Sequence, residues 1–150
     1  MEADALLSTP GPCVFCRIIR GELKAQLIHE DGETISFLDH DPLFPGHVLV
    51  VPRTHHVTLP DLPPSLLAPL FGHARRMARA MEAALGMDGS FIAINNRISQ
   101  EVPHLHIHVI PRRKGDGMAG FFRPRHGYAD EAARDAVTKA LSDYMKGARE

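Results

Sequence analysis

The stretch Pro103-His104-Leu105-His106-Ile107-His108-Val109-Ile110-Pro111 alternates imidazole with aliphatic side chains. A period of two is strand periodicity, because successive side chains of extended backbone point to opposite faces. The alternation predicts a strand over His104–Pro111, with His104, His106 and His108 on one face. Leu105, Ile107 and Val109 then share the other. Neighbouring histidines should lie about 7 Å apart along such a strand. A merely polar outer face would more often carry Thr, Lys or Glu, so three imidazoles in register mark a chemical site. Two chemistries fit them. One is a metal site of three histidines. The other divides the labour, with one histidine on a metal, the next attacking and the third holding substrate. Spacing does not choose between them.

Working outward, Gly46–Pro52 reads as a second buried strand, since His47-Val48-Leu49-Val50-Val51 is nearly all apolar. Gln26–Glu30 and Glu33–Leu38 flank Asp31-Gly32, a hairpin turn signal. Asp39–Pro45 is a loop, and Ser90–Asn95 is a further strand ending in the turn Asn95-Asn96-Arg97. Phe15–Arg20 allows one helical turn closed by Gly21. The main helix is expected over Pro63–Met87, opened by two prolines. Leu67, Leu70, Ala74, Met77, Met81 and Leu85 form its apolar stripe, read as core, with His73, Arg75, Arg76 and Arg79 mostly off it. Ala129–Met145 carries Ala132, Ala136, Ala140, Leu141 and Tyr144 at helical spacing. About five strands with short connections and two helices predict an α+β fold on a mostly antiparallel sheet. Residues 1–12 read as a flexible tail, residues 13–150 as one domain, and 112–127 as a basic, glycine-rich loop within it.

The chain has 150 residues, a length that suits one domain. Seventeen Lys and Arg balance eighteen Asp and Glu, for a formal net charge of -1. Such a balance supplies no general attraction to nucleic acid or anionic membrane, so neither is expected as a partner. No apolar run approaches the roughly 20 residues of a membrane span, and Glu2 and Asp4 break any signal peptide. A cytoplasmic location is the resulting expectation. There are ten histidines but only two cysteines, Cys13 and Cys16. That C-x-x-C pair suggests metal or redox chemistry, or simply two semi-buried thiols.

The chain resembles the histidine triad family of nucleotidyl hydrolases and transferases. His104-Leu105-His106-Ile107-His108-Val109-Ile110 matches the family's His-φ-His-φ-His-φ-φ signature, φ being apolar. Cys13-Val14-Phe15-Cys16-Arg17-Ile18-Ile19-Arg20-Gly21-Glu22 resembles its opening segment. Ile35-Ser36-Phe37-Leu38-Asp39 and Pro45-Gly46-His47-Val48-Leu49-Val50-Val51-Pro52-Arg53-Thr54-His55 resemble the next two blocks. The matches follow family order from about Cys13 to Pro111.

The resemblance implies one structural zinc per chain, on Cys13, Cys16, His55 and His104, with His56 as a rival to His55. Two thiolates and two imidazoles would close a tetrahedral site without an open position. It implies that His106 is the nucleophile at an α-phosphorus, forming a nucleotidyl-histidine that water hydrolyses. In the family a backbone carbonyl near the first triad histidine pins its other ring nitrogen. His108 and His47 match the histidines around the phosphate, and Asp39 matches the acid that holds the ribose hydroxyls. His40 with Phe15 would line the base pocket. Asn95 matches an asparagine near the phosphate, and Gln100 a glutamine in the loop before the triad. Homodimers are usual for members of this size, with Leu66, Leu70 and Met77 shared between core and interface.

Two features depart from the family. Ser99-Gln100-Glu101 stands where Gly-Gln-Ser is frequent, and the loop from Asn95 to His104 looks short. An ionised Glu101 beside a polyphosphate would repel it unless it points away, meets a less anionic group or serves as an acid. Arg112, Arg113, Lys114, Arg123 and Arg125 follow the triad, and could fold back as a clamp on outer phosphates or be a solvated loop. The expected activity is hydrolysis of purine nucleoside phosphoramidates or dinucleoside polyphosphates such as diadenosine tetraphosphate. A nucleotide-binding scaffold with vestigial turnover is the alternative.

Overall fold

The computed structural model describes residues 13–118 and 126–147. Residues 1–12 and most of the loop ahead of the last helix lie outside these, so the expected tail and the expected fold-back of Arg123 and Arg125 do too. The chain divides into two compact units, Met1–Asp116 and Gly117–Glu150.

The first unit is a five-stranded antiparallel sheet. Its elements in chain order are α1 (Val14–Ile19), β1 (Leu27–Glu30), β2 (Thr34–Leu38) and β3 (Val48–Pro52), then α2 (Leu67–Leu85), β4 (Gly89–Ala93) and β5 (Ile107–Arg112). The strand order β1-β2-β3-β5-β4 places the triad strand between β3 and the edge strand β4. Asp31 closes the β1–β2 turn by accepting from the backbone N–H groups of Glu33 and Thr34, both at 2.9 Å. Gly46 opens β3 at φ +95, and a Cβ there would come within 3.2 Å of Leu85 and Pro111 side chains. Both the dihedral and the close packing require glycine.

β3 is buried on both faces, as its unbroken apolar run predicts. Val48 and Val50 join Leu70, Ala74, Met77 and Met81 of α2, together with Leu105, Ile107 and Val109. Leu49 and Val51 face the other way, onto Cys13, Phe15, Cys16, Ile35 and Phe37. The sheet therefore separates a helix side from a side closed by α1. Each fully buried aliphatic side chain contributes roughly 1.5–3 kcal/mol.

The long helix is shorter than expected. Pro60 and Pro63–Pro64 lack amide donors, so the chain first makes 3-10 turns at Leu59–Asp61 and Pro64–Leu66. Gly86 ends α2 in the left-handed conformation at φ 63. Leu70 and Met77 lie wholly within the core, 0% and 7% exposed, so they are not available to a partner. β4 stops at Ala93, leaving Asn95 beyond the strand.

The triad strand begins at Ile107 rather than His104. Pairing with β3 and β4 starts there, at Ile107↔Val50 and His108↔Ala93. Upstream, the Leu105 N–H donates instead to the His56 carbonyl at 2.7 Å, drawing the backbone out of the ladder. The predicted alternation of faces survives this change, since Leu105, Ile107 and Val109 stay in the helix-side core.

In the second unit, α3 (Glu131–Gly147) is the expected last helix, beginning two residues later than the sequence suggests. Asp130 caps its start by accepting from the Ala133 N–H at 2.8 Å.

Candidate active site and metal centre

Cys13 precedes α1 and caps it, its Sγ accepting from the Cys16 N–H at 3.4 Å. One turn later Cys16 projects to the same side, where His55, just past β3, and His104 meet it. Cys13 Sγ lies 3.4 Å from His104 Nδ1, and Cys16 Sγ 3.3 Å from His55 Nδ1. Cys16 Sγ is 3.6 Å from His104 Nδ1, and the two Nδ1 atoms are 3.2 Å apart. A tetrahedral zinc with bonds of about 2.0–2.3 Å has ligand-to-ligand edges of roughly 3.3–3.8 Å. These four separations, 3.2 to 3.6 Å, lie close to that spacing.

Their protonation is compatible too. The His104 Nε2–H donates to the Pro52 carbonyl at 2.9 Å, leaving a lone pair on the Nδ1 that faces the thiols. Burial pushes the His104 imidazole down to about 4, and burial also lowers His55. Both are neutral near pH 7, as ligation requires. Burial, the largest influence, raises the Cys13 thiol. His56 is engaged elsewhere, its Nε2 3.0 Å from Thr54 Oγ1. The structure therefore brings His55, not His56, to the thiols.

His104 also serves the adjoining site through its backbone. The His106 Nδ1–H donates to the His104 carbonyl at 2.7 Å. A carbonyl can only accept, so the proton resides on Nδ1 and His106 Nε2 keeps its lone pair. Phe15 meets the His106 ring edge-to-face, with centroids 5.1 Å apart, and Phe37 backs Phe15 at 5.3 Å. Burial lowers the His106 pKa, against the opposing pull of the His104 carbonyl, Asp39 and Glu101.

A second chain of hydrogen bonds fixes the neighbouring histidines. The Leu43 N–H donates to His47 Nδ1 at 3.1 Å, so neutral His47 carries its proton on Nε2. That proton is directed to His108 Nδ1, 2.9 Å away. His108 in turn carries its own proton on Nε2. The His106 and His108 rings are 4.8 Å apart, closer than the strand repeat because they lean together. Burial first, and then the neighbouring His106 and His47, push His108 down to about 4. Asp39 Oδ2 lies 3.5 Å from His47 Nε2, while Oδ1 accepts from the Asp41 N–H. The donor atoms of Asp39, His47 and His108 all lie within 4.8 Å of one another. With the Leu43 N–H holding His47 Nδ1, the Nε2 lone pair is taken by a proton, so this group is a proton chain rather than an ion cage.

The remaining expected residues are placed unevenly. The His40 side chain is 97% exposed, beside Asp39 at 3.8 Å. Asn95 is half-buried just past β4. Gln100 is tied into its own loop, its Nε2 donating to the Val57 carbonyl at 2.6 Å and its Oε1 accepting from the Arg97 N–H at 2.8 Å. This loop holds Arg97 and Ser99 at φ 71 and 59, left-handed positions that cost non-glycine residues on the order of 1 kcal/mol each. Glu101 is exposed. Arg112 and Arg113 leave the far end of β5 and are already engaged. Arg112 grips Asp116 with two nitrogens, and Arg113 donates to the Leu85 and Gly86 carbonyls that end α2. They do not form a clamp over the histidines.

One buried histidine escaped the sequence reading. His73, read from the sequence as mostly off the apolar stripe of the long helix, is 2% exposed. Its Nδ1 lies 2.8 Å from Thr34 Oγ1 and its Nε2 2.9 Å from Ser36 Oγ. The signal was present: His73 stands three residues after Leu70 and four before Met77, inside the apolar stripe.

A five-stranded antiparallel sheet with three successive histidines beside a Cys-Cys-His-His cluster defines a histidine triad fold. The HIT domain family model matches residues 20–115, and the chain belongs to that family. It is 46% identical over 72% of its length to an uncharacterized HIT-like protein of Mycobacterium tuberculosis, covering 76% of that protein. It is 39% identical over 69% of its length to the adenylylsulfatase HINT3 of Arabidopsis thaliana, covering 54% of that chain. It is 36% identical over 75% of its length to the adenosine 5'-monophosphoramidase HNT1 of Saccharomyces cerevisiae, covering 69%. Among solved structures, a zinc-bound histidine triad family protein of Mycobacterium smegmatis superposes with a TM-score of 0.68 at 39% identity. That match covers 87% of this chain and 96% of the other. The family thus includes hydrolases of adenylyl compounds, and a zinc-bound member is known.

Proposed function

We propose that this chain hydrolyses purine nucleotides at the α-phosphate, acting on nucleoside phosphoramidates or dinucleoside polyphosphates through a nucleotidyl-histidine on His106. The carrying observation is the 2.7 Å bond that puts the His106 proton on Nδ1 and leaves Nε2 free to attack. In the first step the His106 Nε2–phosphorus bond forms and the bond to the leaving group breaks. The His108 Nε2–H, oriented through His47 and Leu43, donates to the phosphoryl oxygens and stabilises their charge, while the leaving group takes its proton from solvent. Water then cleaves the phosphorus–nitrogen bond and releases the nucleoside monophosphate.

Asp39 accepts from the ribose hydroxyls, with His40 and Phe15 beside the base and Asn95 near the phosphate. Gln100 and Glu101 act from the loop before the triad, Gln100 by holding its shape. Cys13, Cys16, His55 and His104 hold one structural zinc, which locks α1 to the ends of β3 and the triad segment. The working unit is a homodimer in the cytoplasm, where thiols stay reduced.

The test is an acid-quenched single turnover with labelled substrate. Wild type should trap nucleotide on His106. His106→Asn should lose at least about 10³-fold in kcat while nucleotide Kd stays nearly unchanged. Normal kcat in that variant, or turnover with no trapped adduct, would overturn the covalent reading in favour of the binding-protein alternative.

A further inference from the structure

The helix side of the sheet carries a second cleft. It lies between the β1–β2 turn and the outer flank of α2, with a volume of about 460 Å³, a size usual for small-molecule sites. His106 packs on Phe15 at the opposite face of the sheet, so this cleft is separate from the candidate active site. On one wall α2 presents Gly72, Arg75, Arg76 and Arg79; on the other the turn presents Asp31 and Glu33. His73 also lines the cleft, but its two ring nitrogens are spent on Thr34 and Ser36, at 2.8 and 2.9 Å.

Gly72 stands in the interior of α2, where glycine destabilises a helix relative to alanine. Neither dihedral nor packing requires it: its backbone is helical, and a Cβ built there would meet nothing within 4 Å. Its effect is to leave the helix wall of the cleft open. The arginines occupy the next two turns, Arg79 about 10 Å along the axis from Gly72. Arg75 and Arg79 are four residues apart, a like-charge spacing that disfavours a helix. Among the described residues the one ion pair across the cleft is Arg76 with Asp31, loose at 3.9 Å. Asp31 is meanwhile taken up by its own turn, accepting from the Glu33 and Thr34 N–H groups. Local helix energetics thus favour neither the glycine nor the arginine pair, and both face the same cleft.

We infer that this cleft binds a sugar phosphate, with the phosphate on Arg75 and Arg79 and the sugar hydroxyls donating to Glu33 across the gap. A guanidinium fork engages phosphate oxygens two at a time. A bare phosphate would be drawn to the arginines and repelled by the carboxylates of the turn. A phosphorylated polyol suits both walls, because a carboxylate accepts from neighbouring hydroxyls. The missing side chain at Gly72 gives its carbon chain room against the helix. A free sugar phosphate and a nucleoside monophosphate share this chemistry. The inference stands independently of the reaction proposed at His106.

The experiment titrates the isotope-labelled full chain with ribose 5-phosphate, adenosine monophosphate, inorganic phosphate and ribose, reading the NMR shifts of the Gly72 and Glu33 amides. Ribose 5-phosphate should move both amides saturably, with a Kd of about 1 mM or tighter. Inorganic phosphate and ribose should bind at least several-fold more weakly. Arg75→Gln combined with Arg79→Gln removes two exposed charge contacts of roughly threefold each, so affinity should fall about tenfold, and less as salt rises. Gly72→Leu should fill the cleft and weaken binding by a similar factor while Tm holds or rises, so that lost binding is not lost folding. Glu33→Gln should weaken ribose 5-phosphate without weakening inorganic phosphate. If adenosine monophosphate moves the same two amides at lower concentration than ribose 5-phosphate, the ligand is a nucleotide; the reverse order marks a free sugar phosphate. No saturable shift with either at about 10 mM overturns the inference. So does inorganic phosphate binding as tightly as ribose 5-phosphate, or an affinity unmoved by both Gly72→Leu and the arginine variant.

Discussion

His73 offers a quantitative test of how this sheet is held to its helix. In the native chain burial pushes its imidazole from the ordinary 6.5 down to about 4, helped by neighbouring His29 and Arg76 and opposed by Asp31. A native state that keeps His73 neutral binds fewer protons than the unfolded chain below pH 6.5. The stability His73 confers is therefore complete above pH 6.5 and is lost as the pH falls towards 4. Two and a half pH units at about 1.4 kcal/mol each give roughly 3 kcal/mol. The perturbation is His73→Leu, which removes the titrating group but not the packing. Thr34 Oγ1 can still donate to Asp31, and Ser36 Oγ to the His29 carbonyl, so neither hydroxyl is orphaned. His29, Asp31 and Arg76 remain in both proteins. Urea unfolding from pH 7.5 to 4 should show wild type losing roughly 3 kcal/mol more than the variant. Parallel stability–pH curves would refute the argument and return His73 to the solvated face of the helix.

The other predictions concern the metal and the assembly. Cys16→Ser should lower zinc content from one per chain and lower the midpoint of thermal unfolding together; a loss on the order of 3 kcal/mol corresponds to roughly 6–12 °C at this size. Full stability and activity in carefully prepared metal-free protein would contradict a structural zinc. β4 is an edge of the sheet and leaves Ile92 45% exposed, which makes it the natural seam for a second copy. Sedimentation at micromolar concentration should give twice the chain mass, and Ile92→Lys should bring it towards 16.5 kDa. A wild-type mass of one chain would remove the dimer.

Much of this was legible in the residues because the signals were periodic. The alternation across Leu105, Ile107 and Val109 fixed the face of the triad, and the apolar run Val48–Val51 fixed a strand covered on both sides. What escaped depended on contacts distant in sequence. The triad segment leaves the ladder before Ile107 because Leu105 bonds to His56, and no local pattern announces such a partner. Gln100 matched a family glutamine in the loop before the triad, and no local pattern told that both ends of its amide bond within the fold. His73 was misplaced for a different reason. It was grouped with Arg75, Arg76 and Arg79 off the apolar stripe, whereas its spacing from Leu70 and Met77 belongs to the core, and the paired hydroxyls of Thr34 and Ser36 make the buried position tolerable. The choice between His55 and His56 followed from family position alone; the geometry reaches it independently.

His104 is a single residue with two addresses. Its ring faces the thiols of Cys13 and Cys16, and its carbonyl oxygen dictates which nitrogen of His106 is basic. The two centres are therefore joined through one residue, and a shift of the His104 backbone moves the ring and the oxygen together. Alkylation of Cys13 or Cys16 is accordingly expected to disturb His106 without touching its ring, the effect delivered through one peptide unit.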